Sequence, residues 1–454
     1  MEDIMVRAFS ATGNLGYGFP TTSLENALVE PPTFLGVDAG STDPGPYYLG
    51  DGKAFVSRAS CKRDTRLLLR AALQHSIPLV IGSAGGTGSN VGVDWLFEII
   101  EEISREDDLH FRIAVIRAEP GRDKLGALLR QGSIHSLTGA PGLTPRRLED
   151  AARIVAMMGP EPIQDALSRG ADVVVAGRCS DAALFAAVPL SKGVPAAVAW
   201  HAGKIIECGA AIAIPKSSDC LIAHLETDHF VLECPNPEKR IRRENVAAHT
   251  MYENANAFLL HEPGGILDAS SAVFEQIDDR RVKVYGATFE RTQPYTVKLE
   301  GVQRAGYRCI TIAGTRDPKL IAIIDEYLAS IKVELDRKVS DIYEDEADYE
   351  VGFRTYGKSG VMSEREFKQE LPYELGLVID VVAPSQLMAN DILALARTLA
   401  MHSHFPGRLC NAGNLAFPFS PSDVQTEPVY EFTVNHTVEL EDPFELFPIE
   451  IRKL

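Results

Sequence analysis

The stretch "FLGVDAGSTDPGPYYLG" (34–50) begins as an apolar strand and ends in a turn of small and acidic residues. Other short apolar runs in the first half also end in Gly, Ser or a charged residue, at 77–83, 111–118 and 171–177. Such continuous apolar runs are typical of buried parallel strands. Helical periodicity fills the intervals between them, at 65–76, 91–104, 149–158 and 162–170. We therefore predict an α/β fold, with a layered parallel or mixed sheet and helices on both faces.

The residue pattern changes after about residue 225. Residues 272–314 contain short β-rich segments, and residues 317–342 have an amphipathic helical pattern. A strand, a helix and a further strand are then predicted between residues 373 and 440. We predict three parts, which are an α/β core at 1–225, an α+β region at 226–370 and a small C-terminal α+β domain at 371–454.

The composition restricts the possible partners. The chain of 454 residues carries 63 acidic and 45 basic residues, a formal net charge of −18. Nucleic acids and anionic membranes are bound through basic residues, so we expect neither partner, whereas a few local arginines still allow a small anionic metabolite. The seven cysteines form no CxxC pair, and the sequence predicts no signal peptide and no membrane span. We expect reduced thiols, a cytoplasmic location and, from the frequency of symmetric assemblies among enzymes, a homo-oligomer.

Asp38 and Asp43 flank Ser41 and Thr42 in the turn after the strand quoted above. One interpretation is a tight turn that the Asp, Ser and Thr side chains stabilise. Another is a pair of carboxylates at the edge of the sheet, which divide acid and base work or share a divalent metal such as Mg²⁺. The run DAGST also resembles the first phosphate loop of the actin-like ATPase and sugar-kinase superfamily. Two prolines follow it, however, where that fold has a second strand.

The loop "GSAGGTGSN" (82–90) follows a predicted strand and begins a helix. Glycine N–H groups and a helix N-terminus favour anions, so the loop predicts a carboxylate or phosphate subsite, with a purely structural turn as the alternative. It lacks the Walker lysine and the full GxGxxG fingerprint, so we expect no nicotinamide or flavin cofactor. Arg178 can hold a carboxylate or pair with Asp181. The predicted substrate-binding residues are Ser41, Thr42, Gly85, Gly86, Thr87, Gly88, Ser89, Asn90, Arg117 and Arg178.

Two clusters of titratable residues lie outside these turns. One is "WHAGKIIECGA" (200–210), and the other is within "HTMYENANAFLLHEPGG" (249–265). A lone buried histidine is usually a hydrogen-bonded scaffold residue, but repeated grouping of His and Glu before Gly-rich turns indicates proton transfer. The run HTMYE lacks a second histidine one helical turn on, so we predict no tetrahedral zinc site. The predicted catalytic residues are Asp38, Asp43, Asp181, His201, Glu207, His249 and Glu253.

Several motifs, taken in order, resemble the acyclic terpene utilisation (AtuA-type) family over roughly residues 4–340. They are "LGYGF", "GVDAGSTDPGP", "GSAGGTGSN", "ADVVVAGRCSDAALFAA", "WHAGKIIECGA", "AAHTMYENANAFLLHEPGG" and "VKLEGVQRAGYRCITIAGTRDP". Residues 371–454, with "CNAG" and "VYEFTVNHTVEL", resemble a small uncharacterised domain that accompanies this family. The resemblance implies a setting in the bacterial breakdown of branched acyclic terpenes through acyl-CoA intermediates, without fixing a reaction.

Three functions are compatible with these residues. The leading hypothesis is a catabolic enzyme that adds or removes water, or shifts a double bond, in a small hydroxy- or unsaturated carboxylic acid or its thioester. Such chemistry needs an acid and a base near the substrate carbons, and optionally a metal. The alternatives are an ATP-dependent enzyme that uses the DAGST turn and a non-catalytic assembly or ligand-binding subunit of an acyl-CoA-processing complex.

Overall fold

The computed structural model describes residues 5–343, 348–367 and 370–454. The chain forms two compact units, of which the first comprises Met1–Gln303 with Phe432–Leu454 and the second Arg304–Glu431. The boundaries of these units lie near residues 303 and 431. The boundaries predicted from changes in residue pattern lie near residues 225 and 370.

The strands, numbered in chain order, are β1 (Val6–Ser10), β2 (Phe34–Asp38), β3 (Leu79–Gly82), β4 (Arg112–Ile116), β5 (Ile134–Ser136), β6 (Arg153–Ala156), β7 (Val173–Ala176), β8 (Ala213–Ile214), β9 (Leu221–Leu225), β10 (His229–Glu233), β11 (Arg240–Ile241), β12 (Leu259–Glu262), β13 (Gly265–Asp268), β14 (Val273–Gln276), β15 (Arg281–Tyr285), β16 (Thr288–Arg291), β17 (Tyr295–Thr315), β18 (Glu350–Tyr356), β19 (Leu375–Ala383), β20 (Asp423–Leu440) and β21 (Ile449–Lys453).

The α-helices are α1 (Thr21–Leu28), α2 (Pro46–Asp51), α3 (Arg58–His75), α4 (Asn90–Asp107), α5 (Arg122–Gln131), α6 (Pro145–Asp150), α7 (Glu161–Ser168), α8 (Asp181–Ser191), α9 (Ala196–Ile206), α10 (Arg243–Thr250), α11 (Pro318–Ala322), α12 (Ile324–Tyr343) and α13 (Gln386–His402). Short 3₁₀ turns occur at Gly209–Ile212 and Ser363–Arg365.

A ten-stranded mixed sheet in the order β14-β15-β10-β9-β1-β2-β3-β7-β4-β21 is the centre of the first unit. The middle strands β1, β2, β3, β7 and β4 are parallel to their neighbours within this group, and antiparallel strands complete both edges. The carboxyl ends of the parallel strands therefore meet at one edge of the sheet. The α/β prediction is confirmed.

The central strands direct alternate side chains into two hydrophobic cores, one on each face of the sheet. In β7, Val173 and Val175 join the core that contains residues of α3 and α4, whereas Val174 and Ala176 join the core that contains residues of α8 and α9. Helices therefore cover both faces, and strands buried on both faces explain the continuous apolar runs in the sequence.

Glycines allow α8 to pack closely against both β2 and α9. A Cβ atom on Gly36 of β2 would lie 2.5 Å from the ring of Phe185 in α8. A Cβ atom on Gly203 of α9 would lie 2.4 Å from the carbonyl oxygen of Ala182, the second residue of α8. The N-terminus of α8 and the C-terminal turn of α9 are thus held together by close backbone contact.

The second unit contains its own hydrophobic core. The C-terminal part of β17 pairs antiparallel with β19, which pairs in turn with β18. Helices α12 and α13 supply apolar side chains such as Ile331 and Leu393 to the core beside these strands. The predicted helix at 317–342 is divided at Ile323 into α11 and α12.

One predicted element has the wrong type. Residues 149–158 were expected to be helical, but α6 ends at Asp150 and β6 begins at Arg153. Residues Arg153–Ala156 pair with Val302–Leu299 of β17, so pairing with a distant strand overrides the local helical pattern. Among the described residues, no helix combines the length and apolar character needed to cross a membrane.

We predict that Gly203→Ala lowers the free energy of unfolding by roughly 1–3 kcal/mol, because the new methyl group overlaps the Ala182 carbonyl. Gly126→Ala in α5 is the matched control, since its Cβ would meet only ordinary contacts, 3.5 Å or more away, and helix propensity favours Ala by about 1 kcal/mol. Urea unfolding of both variants measures the effect. Equal stability of the two would contradict the packing argument.

Candidate functional site

Two adjacent cavities of the first unit share four acidic lining residues. Cavity A has a volume of about 600 Å³ and cavity B of about 550 Å³. The residues that line only cavity A include Asp38, Cys208, Lys216 and Asp219, and those that line only cavity B include Arg178, Lys204, Glu262 and Lys298. The four residues that line both cavities are Asp43, Asp181, Glu207 and Glu253.

Strand ends and helix ends bring these residues together. Asp38 ends β2, and Arg178 and Asp181 follow β7 at the same edge of the sheet. Lys204 lies in the last turn of α9, and Glu207 is its C-cap. The close packing of α8 against α9 places Lys204 and Glu207 beside Arg178 and Asp181. The site therefore follows the general rule that ligands bind beyond the carboxyl ends of parallel strands.

Arg178 and Glu300 form a buried ion pair. Arg178 Nε donates to Glu300 Oε2 at 2.8 Å, and Arg178 Nη1 donates to Asp181 Oδ1 at 3.0 Å. Glu300 also accepts from Lys298 Nζ at 2.8 Å and from Thr42 Oγ1 at 2.9 Å. Burial opposes the ionisation of Glu300, but the charges and hydrogen bonds of Arg178 and Lys298 outweigh it and lower its pKa to about 2. Glu300 is therefore ionised at neutral pH and holds the guanidinium group of Arg178 in place.

Glu262, at the end of β12, has the opposite electrostatic environment. It is 9% exposed, and Ser180 Oγ donates to its Oε2 at 2.5 Å. Burial raises the pKa of Glu262 to about 7, and the negative charge of Asp181 adds to this effect, while the Ser180 hydrogen bond opposes it. This carboxyl group can accept or release a proton close to neutral pH.

Lys204 and Glu207 form a second buried pair, in which Lys204 Nζ donates to Glu207 Oε1 at 2.7 Å. Burial raises the pKa of Glu207 to about 8, although the charge of Lys204 opposes this shift. Burial alone would lower the pKa of Lys204, but attraction to Glu207 outweighs burial and raises it, so Lys204 keeps its charge. Cavity B thus combines positive charge with carboxyl groups that titrate near neutrality.

Asp38 is buried at the wall of cavity A. Its Oδ2 accepts from the N–H of Gly40 at 3.1 Å, while its buried Oδ1 has no hydrogen-bond partner among the described residues. Burial, followed by the negative charge of Asp181, raises the pKa of Asp38 well above its ordinary value, and the charge of Arg178 only partly offsets this. These conditions favour a protonated carboxyl group that can donate a hydrogen bond or a proton.

The two predicted catalytic histidines do not line either cavity. His201 is 1% exposed, its Nε2 lies 3.0 Å from Thr250 Oγ1, and its ring packs edge-on against Phe230 and Phe274. Burial lowers its pKa to about 4. His201 is therefore a core residue and is not part of the site that we propose. His249 is also buried and stacks on Tyr252, a residue that lines cavity A.

The glycine loop 82–90 contributes no residue to the lining of either cavity. A Cβ atom on Gly88 would lie 2.0 Å from the backbone nitrogen of Arg178, and one on Gly85 would lie 2.4 Å from Gly92. The N–H of Asn90 donates to Glu119, and the side chain of Arg117 pairs with Asp94. The loop is used in close packing, so we leave the following predicted substrate-binding residues out of the site: Gly85, Gly86, Thr87, Gly88, Ser89, Asn90 and Arg117.

The DAGST turn is divided between two roles. Gly40, Ser41 and Asp43 line cavity A, and Ser41 Oγ donates to Asp43 Oδ2 at 2.6 Å, whereas Thr42 is buried and binds Glu300. The helix α2 begins at Pro46, where a kinase-type phosphate hairpin would have a strand. In the described part of the chain, Lys216 is the one basic residue of the cavity A lining.

Lys298 and Glu300 received no role from the sequence, and Glu262 lay in the predicted proton-transfer cluster at 249–265 without being named as a catalytic residue. The run "VKLE" placed Lys298 and Glu300 on the same face of a predicted strand, and this was an available signal. Ser180 was recognisable only as a helix N-cap. No pattern along the chain joins Ser180 to Glu262, because they are 82 residues apart.

We predict that Glu300→Gln lowers the free energy of unfolding by roughly 3–5 kcal/mol at pH 7, because it removes the buried counter-ion of Arg178 and leaves that buried charge with the partly exposed Asp181. The pKa of Glu300 is depressed in the folded state. Its stabilisation is therefore present above the ordinary glutamate value of 4.5 and is lost as the pH falls toward 2. Urea unfolding between pH 7 and pH 3 should show a larger acid-dependent loss of stability in the wild type than in the variant, because other carboxylates with lowered pKa values, such as Glu102, titrate in both proteins.

Glu102→Gln is the matched control for Glu300. Glu102 also pairs with an arginine and a lysine, and their hydrogen bonds lower its pKa to about 2, but it lies at the surface. Solvent screens surface pairs, so its removal should have a much smaller effect. If both variants lost the same stability, the importance of the buried pair would be contradicted.

Comparison with known families agrees with the motifs. The family model described as "Acyclic terpene utilisation family protein AtuA" matches residues 62–417. No curated protein and no solved structure matches the chain significantly. The family match includes most of the residues that line cavities A and B, and it begins after the DAGST turn. Because the match covers well over half of the 454 residues, this chain belongs to the acyclic terpene utilisation family AtuA.

Proposed function

We propose that the chain is an acid–base enzyme that adds or removes water, or shifts a double bond, in a small carboxylic acid or its thioester. One observation carries the proposal. Glu262, a buried carboxyl group whose pKa is raised to about 7, lines the same cavity as the positively charged Arg178, Lys204 and Lys298. A carboxyl group poised near neutrality beside fixed cations suits proton transfer to or from a bound anion.

Glu262 is the proposed general base. In a dehydration, its carboxylate removes the proton from the substrate carbon next to the carbonyl, and the hydroxyl group on the following carbon leaves as water. Asp181 lines both cavities, and burial raises its pKa. We therefore assign protonated Asp181 as the general acid, which gives its proton to the leaving hydroxyl group. The reverse sequence adds water, and return of the proton at another carbon shifts a double bond.

The basic residues of cavity B are proposed to hold the carboxylate or the thioester carbonyl. Nε and Nη1 of Arg178 are engaged by Glu300 and Asp181, which fixes the guanidinium group in one orientation. Lys298 is partly exposed and reaches Glu300 through its ammonium group, which leaves further N–H donors. A fixed positive charge next to Glu262 would also stabilise the enolate that forms when the proton leaves.

We expect Glu262→Gln to lower kcat roughly 10²–10⁴-fold, because the amide cannot accept the proton. A general base works when ionised, so kcat/KM of the wild type should rise with pH through about 7, and the variant should lack this rise. The measurement is deuterium incorporation from D₂O into a panel of 3-hydroxy and 2-enoic acids and their CoA thioesters, followed by NMR.

Glu275→Gln, at an exposed position outside both cavities, is the control and should behave as the wild type. Circular dichroism would confirm that both variants are folded. No exchange with any compound of the panel in the wild type, or equal exchange in wild type and Glu262→Gln, would contradict the proposal and favour a non-catalytic subunit.

Lys298→Met should raise KM roughly 10–100-fold with a smaller change in kcat, because it removes one charged hydrogen bond of about 1.5–3 kcal/mol to the substrate. Lys216→Met, which removes the basic residue of cavity A, is the matched variant. Steady-state kinetics on the substrate found in the exchange panel compares the two. A larger increase in KM for Lys216→Met than for Lys298→Met would indicate that the substrate carboxylate binds in cavity A instead of cavity B.

A further inference from the structure

A second chemical feature lies at the wall of cavity A, where Glu207, Cys208 and His249 converge. A carboxylate oxygen of Glu207, the Sγ of Cys208 and a ring nitrogen of His249 all lie within 4.8 Å of one another. Glu207 and Cys208 both line cavity A. In sequence, the histidine is some forty residues away from the other two, so only the fold creates this set.

The fold holds the three residues at two helix ends. Glu207 and Cys208 follow the last residue of α9, and His249 lies in the last turn of α10. Gly209 then turns the chain with a φ of 56°, and a Cβ atom there would lie 2.8 Å from the backbone nitrogen of Gly13. The carbonyl ends of both helices carry partial negative charge, which favours a cation at this position.

His249 has a buried nitrogen that nothing in the described chain satisfies. The residue is 9% exposed, and its Nε2 is buried without a hydrogen-bond partner. Buried polar atoms of proteins are nearly always paired, so an orphan nitrogen beside a thiol and a carboxyl group indicates a missing ligand.

We propose that Glu207, Cys208 and His249 bind a divalent transition-metal ion of the zinc type. Nitrogen, sulfur and oxygen donors together suit Zn²⁺ and related first-row ions, whereas Mg²⁺ prefers oxygen ligands alone. Three protein ligands leave one position of a tetrahedral ion open, as in catalytic zinc sites, and that position would face cavity A. The earlier expectation of no zinc site considered only the HTMYE run, which contains one of the three ligands.

The dimensions and the local charge fit this ion. A tetrahedral zinc ion with bonds of about 2.3 Å to sulfur and about 2.0–2.1 Å to nitrogen holds its ligand atoms about 3.6 Å apart. The three ligand atoms lie within 4.8 Å of one another, so side-chain movements of about 1 Å would close the set. Lys204 Nζ donates to Glu207 Oε1 at 2.7 Å, as outer-shell partners of metal ligands do. Other acidic residues line cavity A and offset this ammonium charge, and they include Asp43, Asp219 and Glu253.

The test is a titration of the chelator-treated full-length protein with Co²⁺, which substitutes for zinc and reports its ligands in the absorption spectrum. The wild type should bind one Co²⁺ per chain, develop a thiolate-to-cobalt charge-transfer band, and release Co²⁺ on addition of Zn²⁺. Cys208→Ser should lose the band, and His249→Ala should weaken binding by at least 100-fold, since even outer-shell changes cost about 10–100-fold.

Cys61→Ala is the matched control, because Cys61 is also a buried thiol and belongs to no such cluster in the part of the chain that the structure describes. It should retain both the band and the affinity. Absence of the charge-transfer band in the wild type, or its persistence in Cys208→Ser, would overturn the proposal, and the wild-type spectrum decides even if a variant fails to fold. Metal binding is independent of the proton-transfer reaction proposed above, and each can fail without the other.

Discussion

The buried ion pair of Arg178 with Glu300 is the interaction on which the site depends. It joins the turn after β7 to β17, and it is supported by Lys298 and Thr42. A buried pair adds little net stability compared with apolar residues, but the loss of one partner is costly because the other charge remains buried. The pair therefore acts mainly as a constraint, which fixes where the turn carrying Ser180 lies.

The same turn then sets the chemistry of the surrounding carboxyl groups. Glu300 receives two positive partners and stays ionised, whereas Glu262 receives one neutral hydroxyl group and titrates near neutrality. Residues of one chemical type thus acquire different pKa values from their neighbours, which is the general way in which one fold separates carboxylates that stay ionised from carboxyl groups that titrate near neutrality. The wall of cavity A has a different chemical character from cavity B, because the thiol of Cys208 and the unpaired ring nitrogen of His249 are softer metal ligands than carboxylate oxygens.

Local sequence patterns predicted most of the first unit. The strands ending at Asp38, Gly82 and Ala176 agree with apolar runs, because strands buried on both faces need apolar side chains at every position. The prediction failed at 153–156, where pairing with β17 determines a strand. The sequence also predicted anion binding by the glycine loop 82–90, whereas the structure uses this loop for close backbone packing. Glycines that serve these two purposes have the same sequence pattern.

The sequence by itself determined the α/β class, the strand ends with polar residues and the family, and it predicted Asp38, Asp181 and Glu207, which line cavity A. These features depend on local periodicity or on residue identity. The tertiary structure alone decided that Glu300 reaches Arg178, 122 residues away, and that His201 is confined to the core. The reason is physical, because a pKa, a cavity and a ligand set depend on distances through space and on burial, which the order of residues along the chain does not contain.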